Sequence, residues 1–319
     1  MLKILAKRLA TALASLLGIS AVLFVVLALA PGDMFSELAT NPAIPPDVIE
    51  GLRKQFGLDD PIHMRYLRWL AAMLQGDWGY SFVSRIDTYD LIVQRVPTTL
   101  FIVGCAQLLA LAIALPLGVY SAAKPYSLFD KIASTLAFIG FSLPTFFTGL
   151  LFILLFSIHL EWLPFIYRTN ITETGWRWAW EMFRQSIMPI AVIGLAQGAA
   201  WTRYVRSSVL DVIRLDHVTT ARAKGLSERV VIVKHVVRNA LIPVVTLVAL
   251  EIPVIFGGAI ITEQIFRIPG VGTLLISSLI ANDTPVVMAV TFVMAALVIA
   301  SNLIADLVYG SLDPRITHD

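Results

Sequence analysis

Two stretches of this chain hold residues whose types could do chemistry. Glu251 lies about halfway along Asn239–Thr262, a run that is otherwise apolar, with Pro243 and Pro253 on either side and Gly257–Gly258 beyond. A charged group at the centre of an apolar span costs roughly 2.5–3.5 kcal/mol on insertion scales, so it faces a wet cavity or a partner. Prolines and glycines around it suit a helix that bends and lines a pathway. Two uses stay open. Glu251 lines a conduit and meets an amine or another cation, or it is a carboxylate paired within the bundle for structure.

The second stretch reads "HVTTARAKGLSERVVIVKHVVRN". Six Lys/Arg residues fall within Arg214–Arg238, against only Asp216 and Glu228. Locally, "TTARAKG" reads as a short helix with Lys224 in its last turn and Gly225 as its stop. Ser227 is placed to cap a second helix, "ERVVIVKHVVRNALIP". Val230, Val231, Val233, Val236 and Val237 give that second helix an apolar face, while Arg229, Lys234 and Arg238 stay wet. A helix of two turns is marginal in water without tertiary contacts, so the first one needs a surface to pack on.

No catalytic residues are expected. The chain has no GxxxxGK[ST] loop for nucleotide phosphates, no HExxH and no Cys/His cluster. His63, His159, His217, His235 and His318 are scattered, and the single cysteine, Cys105, lies in an apolar run as a small hydrophobe. "PGVG" at Pro269–Gly272 lacks dinucleotide-loop spacing and reads as a turn opening a short helix. Neither a metal nor a cofactor bound by this chain is expected. A membrane enzyme is therefore the weakest functional class, behind a conduit, a receptor or a scaffold.

The elements that must position these stretches are membrane helices. Of 319 residues, 57% are hydrophobic and only 14% charged, with mean hydropathy +0.79. Soluble domains carry roughly 25% charged residues. A net charge of +2 is too small to imply a nucleic-acid partner. Six spans are expected: Leu9–Ala30, Val96–Ala123, Ile132–Ile158 with Pro144 inside it, Gln185–Thr202 with Pro189, Asn239–Thr262 and Val286–Ala305, which ends at Asp306. The N-terminal stretch imitates a signal peptide. Its uncharged run exceeds the 7–15 residues or so of a typical h-region, spans a ~30 Å hydrocarbon core, and is followed by Pro31, so it reads as a retained first span.

Basic residues set the orientation. With the N-terminus cytoplasmic and the spans alternating, 14 of the 24 Lys/Arg residues face the cytoplasm, including Arg203, Arg206 and the whole basic segment, with Arg315 in the tail. Both termini are then cytoplasmic. The outer segment Pro31–Arg95 mixes turn signals ("PGD", "NPAIPPD") with amphipathic pieces such as "HMRYLRWLAAMLQ". Its Tyr66, Trp69, Trp78 and Tyr80, and Trp162, Trp176, Trp178 and Trp180 of the next outer loop, suit a membrane interface in contact with lipid. These loops either cover the bundle or form a docking surface for an external partner. Glu263 and Asp283, which border the outer loop between the last spans, and Asp306 read as structural or interfacial. The chain divides into residues 1–95, a first span with a long outer segment, and residues 96–319, a core with five spans.

"RYVRSSVLDVIRLDHVTTARAKGLSERVVIVKHVVRNALIPVVT" resembles the cytoplasmic loop of permease subunits of ABC importers, closest to the dipeptide/oligopeptide/nickel branch. "APGD", "GLDDPIHMRYLRWL", "GDWGYS", "RVPTTL", "FSLPTFFTG", "IPGVGTLL", "NDTPVV" and "YGSLDPRI" fit the same branch in order, over nearly the whole chain. In the general importer motif, Gly225 matches the glycine and Ala221 the second alanine, while Thr219 and Thr220 stand where Glu and the first Ala would be. A role for that missing carboxylate is inapplicable here.

The resemblance implies an all-α type I permease with six transmembrane helices. It also implies that Thr219, Thr220, Ala221, Arg222, Ala223, Lys224, Gly225, Leu226 and Ser227 form a coupling helix seated on an ATPase. Ala221 and Ala223 would then permit close approach, and Arg222 and Lys224 would pair with acidic groups. Charge alone leaves a solvated positive-inside loop as the other reading. The implied partners are a second permease, two ATPase subunits that hold ATP and Mg, and an extracytoplasmic binding protein, all at a bacterial inner membrane. The implied substrate is a peptide, with nickel, glutathione, a sugar or an opine as alternatives. The competing class is an ATP-independent channel or receptor.

Overall fold

The computed structural model describes the backbone of residues 2–30, 35 and 44–312, and their side chains except at 2–7, 247, 249, 250, 252–258 and 304–312. The turn signals at 31–34 and 41–43, the side chain of Asp306, and Arg315 fall outside that description. Regular structure among the described residues is helical apart from one isolated bridge, Tyr80 to Asp87. The order is α1 (Leu2–Leu29), α2 (Pro46–Gln55), α3 (Ile62–Leu74), α4 (Thr88–Ala123), α5 (Leu128–Ser142) and α6 (Thr145–Phe152), which continues as π-helical turns Ile153–His159. Then come α7 (Trp176–Val212), α8 (Asp216–Ala223), α9 (Glu228–Val230) with π-helical turns Val231–Val237, α10 (Arg238–Ile265), α11 (Val271–Ile280) and α12 (Thr284–Leu312).

Arg8–Leu29, Thr88–Ala123 and Thr284–Leu303 are each long and apolar enough to cross a membrane alone. The third expected span departs from a single rod. Leu128–Ser142 and Thr145–His159 meet at 101°. The cause is Pro144: its ring disfavours the α conformation at the preceding residue, and Leu143 is extended (ψ 128) while Pro144 becomes the N-cap of α6. The other two expected spans lie within α7 and α10. The apolar stretch of α7 is interrupted by Gln185, Gln197 and Thr202, all satisfied by hydrogen bonds: Gln185 clamps the backbone of Arg168, and Thr202 returns to the Gly198 carbonyl at 2.6 Å.

The chain resolves into two compact units, Met1–Pro97 with Gly270–Ile299, and Thr98–Pro269 with Ala300–Asp319. In the second, a stripe of small residues on α4 lets α7 come close. Ala106, Ala110, Ala114 and Ala122 recur at helical spacing and are at most 1% exposed. Gly118 keeps the same register, and a Cβ there would lie 2.7 Å from the Val205 side chain. A Cβ on Gly194 of α7 would lie 3.0 Å from the Ala106 carbonyl oxygen. Between membrane helices, such small residues gain packing by letting backbones approach.

α5 is fixed to α7 by charge. Ser127 caps α5 by accepting from the Asp130 N–H, and Asp130, 3% exposed, takes both oxygens to Arg206, Nε at 2.7 Å and Nη2 at 2.8 Å. Arg206, counted in the sequence only as a cytoplasmic-side cation, is therefore part of the packing.

In the first unit, Tyr66 and Trp69 of α3 pack on Phe24 of α1, at 5.6 and 6.2 Å between ring centroids, and the Ser20 and Tyr66 hydroxyls lie 3.0 Å apart. Those two aromatics thus hold α3 against α1. Two motif stretches meet here. Ser81 of "GDWGYS" donates to Asp283 of "NDTPVV" at 2.5 Å. Asp283 is 3% exposed, and burial pushes its carboxyl above the usual carboxylate range. In the second unit, Glu263, 2% exposed, accepts from Thr99 at 2.5 Å. Both acids are buried and hydrogen-bonded within their own unit.

Candidate functional site

The basic segment folds as the local pattern dictates, helix, tight turn, helix. α8 ends at Ala223, Lys224 takes the C-cap, and Gly225 has φ +76, the left-handed conformation that costs a residue with a Cβ roughly 1–2 kcal/mol. The open space around Gly225 shows that conformation, not crowding, requires glycine there. Ser227 occupies the next N-cap position, but its side chain makes no capping bond; its carbonyl accepts from Val231 N at 3.0 Å.

The short helix has the packing surface that its length demanded. Val218 (0% exposed) and Ala221 (4%) turn inward, into the core that holds Val231 and Val236. Ala221 therefore anchors α8 to its own chain, and does not stand on the face where close approach to a partner was expected. Thr219, Thr220, Arg222, Ala223, Lys224, Gly225, Leu226 and Ser227 are exposed. Thr220 returns its hydroxyl to the Asp216 carbonyl at 2.8 Å. Across the turn, Arg222 grips Glu228 with two hydrogen bonds, 2.7 and 3.1 Å. That contact holds the Glu228 carboxyl below the usual range and raises Arg222. An internal acid thus already occupies Arg222, while Lys224 extends from an exposed C-cap.

Glu251 is the 14th of the 28 residues of α10, about 20 Å from either end at 1.5 Å per residue. Its Oε2 accepts from two groups of α7, the Gln197 amide nitrogen and the Trp201 indole N–H, the latter at 2.5 Å. Trp201 is fully buried. These neutral donors are the partners of Glu251 among the described residues. Half of the sequence expectation, pairing within the bundle, is visible; a cation is not part of that pairing.

Sequence reasoning passed over Gln197, Trp201 and Asp130. Gln197 and Trp201 stand four apart on one helix face, and Ser127 three residues before Asp130 is a capping pattern. Both signals were present without a charge anomaly to mark them. Among the described residues no group of three His, Cys, Asp or Glu could hold a metal.

Comparison with known proteins places this arrangement. Residues 114–318 match the family "Binding-protein-dependent transport system inner membrane component", and residues 1–103 match the N-terminal model of such membrane components. The chain is 42% identical over 305 residues to the oligopeptide transport system permease protein AppB of Bacillus subtilis, covering 95% of each chain. It is 35% identical to the dipeptide transport system permease protein DppB of Escherichia coli K12, over 100% of this chain and 99% of that one. It is also 35% identical to the glutathione transport system permease protein GsiC of Salmonella paratyphi A, over the full length of both.

Among solved structures, a chain of the MetNI methionine ABC transporter, inward facing, shares the fold with TM-score 0.55 at 17% identity, covering 70% of this chain and 96% of that one. An amino acid ABC transporter chain follows with TM-score 0.52 at 13% identity, covering 75% and 100%. This chain belongs to the family of inner membrane components of binding-protein-dependent transport systems. It is a multi-pass membrane permease with the ABC type I permease fold, and not a catalytic enzyme.

Proposed function

We propose that this chain forms half of the membrane pathway of an ATP-driven peptide importer. A second, related permease supplies the other half, two ATPase subunits bind ATP and Mg and hydrolyse ATP, and an extracytoplasmic binding protein delivers the substrate. Peptide is favoured because the three relatives named above carry an oligopeptide, a dipeptide and glutathione, itself a tripeptide, in their names. Both termini and α8 lie on the cytoplasmic side.

One observation carries the coupling assignment. α8 is held from beneath by Val218 and Ala221 and offers Thr219, Thr220, Ala223, Lys224 and Leu226 outward. A helix gripped on one face by its own bundle moves as a rigid body when its other face is pushed. On this reading an ATPase presses on Thr219–Ser227, and α8 passes the motion through the Arg222–Glu228 turn to α10 and back to α7. The pathway then alternates its access.

Affinity purification of the tagged chain from mild detergent tests the assignment. Two ATPase subunits and a second permease should co-purify, and the binding protein encoded with them should take up a peptide. Recovery of the chain alone, even after crosslinking at Lys224, contradicts it and favours a channel or receptor.

A further inference from the structure

We infer that Glu251 is a specificity-determining group that receives the ammonium of the transported peptide; this deepens, and rests on, the peptide-importer reading. The carboxylate has two oxygens and uses one. Oε2 takes both hydrogen bonds from α7, from Gln197 and from the fully buried Trp201. Oε1 has no hydrogen-bond or ion-pair partner among the described residues, and Glu251 is only partly buried.

An ionised carboxylate in a bundle core is costly without a countercharge. Gln197 and Trp201 orient it by neutral hydrogen bonds, and no cation pairs with it among the described residues. The residue that packing alone would favour at this depth is an amide or an aliphatic. Glutamate adds an oriented carboxylate, halfway along α10, whose Oε1 has no partner among the described residues. Its natural complement is a mobile cation that carries N–H donors. A peptide offers one at its N-terminus, and the charge-assisted bond to an ammonium is about twice as strong as a neutral one. Trp201 and Gln197 are positioning residues in this scheme: they fix the rotamer that presents Oε1 and tie the site to α7.

The test uses the complete importer, both permeases with the ATPases, in nanodiscs at pH 7 without binding protein. Equilibrium binding of radiolabelled trialanine and of N-acetyl-trialanine is compared in wild type and Glu251→Gln. The substitution is nearly isosteric, and its carbonyl oxygen can still accept from Gln197 and Trp201, so assembly with the ATPases and the thermal transition serve as folding controls. The wild type should bind trialanine at least tenfold more tightly than the acetylated form, and Glu251→Gln should erase that preference by weakening trialanine alone. The inference is overturned by an unchanged preference in Glu251→Gln, by equal loss for both peptides, or by absence of trialanine binding to the wild type. Failure of the importer reading looks different: no ATPase-containing complex assembles, or binding protein loaded with peptide drives no uptake.

Discussion

The α8 turn and the Glu251 site are charged features in the same apolar unit, and they use charge in opposite ways. At α8 the charges face outward, Lys224 and the Arg222–Glu228 pair, while apolar Val218 and Ala221 hold the element in place. At Glu251 the charge faces inward and neutral polar groups hold it. The Asp130–Arg206 pair is a third arrangement, a buried charge met by its opposite. An outward charge on an apolar anchor suits docking and the transmission of force, a compensated buried pair suits rigidity, and an oriented carboxylate with no paired cation among the described residues suits a passing cation.

The sharpest way to break this division is at Gly225. Gly225→Val must adopt φ +76 with a branched Cβ, and the turn between α8 and α9 then changes shape. Uptake per ATP hydrolysed in reconstituted vesicles should fall tenfold or more while hydrolysis continues. Gly225→Asn, which tolerates the left-handed region, should retain most coupling. Equal behaviour of the two variants would sink the claim that turn geometry carries the motion.

Asp130→Ala should have the next largest effect. It leaves Arg206 without its partner, and breaking a buried pair costs roughly 3–5 kcal/mol; with Arg206 27% exposed, the low end, about 3 kcal/mol, is expected. A melting temperature well below wild type with unchanged coupling in the surviving protein fits a rigidity role. Trp201→Phe removes one donor from Glu251 and should cost about 2 kcal/mol, the scale of a hydrogen bond to a charged group. It should also loosen the trialanine preference.

The smallest effect belongs to Glu228→Gln. Exposed pairs contribute about 0.5 kcal/mol. The folded Glu228 carboxyl is more acidic than its ordinary 4.5. The pair's contribution is therefore present above pH 4.5 and is lost as pH falls through the folded value. Melting curves of wild type and variant should converge on acidification, and a gap that widens at low pH would contradict the assignment.

Much of this was legible because apolar runs and turn chemistry are local. The uncharged runs that end at Ala30 and Ala123 became the ends of α1 and α4 within a residue or so, and Gly225 announced the end of α8. The bend at Pro144 was written in the sequence, yet hydropathy reads straight through a proline. What stayed hidden depends on which helices touch. Arg206 looked like one more loop cation until α5 brought Asp130 to it. Ala221 looked available for a partner until the π-helical turns Val231–Val237 covered it. Gln197 and Trp201, being neutral, gave no reason to look until Glu251 was found between them.

In the proposed function the outward face of α8 lies against an ATPase. The measurement is site-specific crosslinking from Ala223→Cys, with Cys105→Ala to remove the other thiol, in membranes that hold the complete importer. A bifunctional thiol–amine reagent should join the chain to an ATPase subunit, with a yield that changes when ATP is trapped. Ala221→Cys, on the buried face, should give little product under the same conditions. Efficient crosslinking from Ala221 with none from Ala223, or no ATPase adduct from either, would contradict the account.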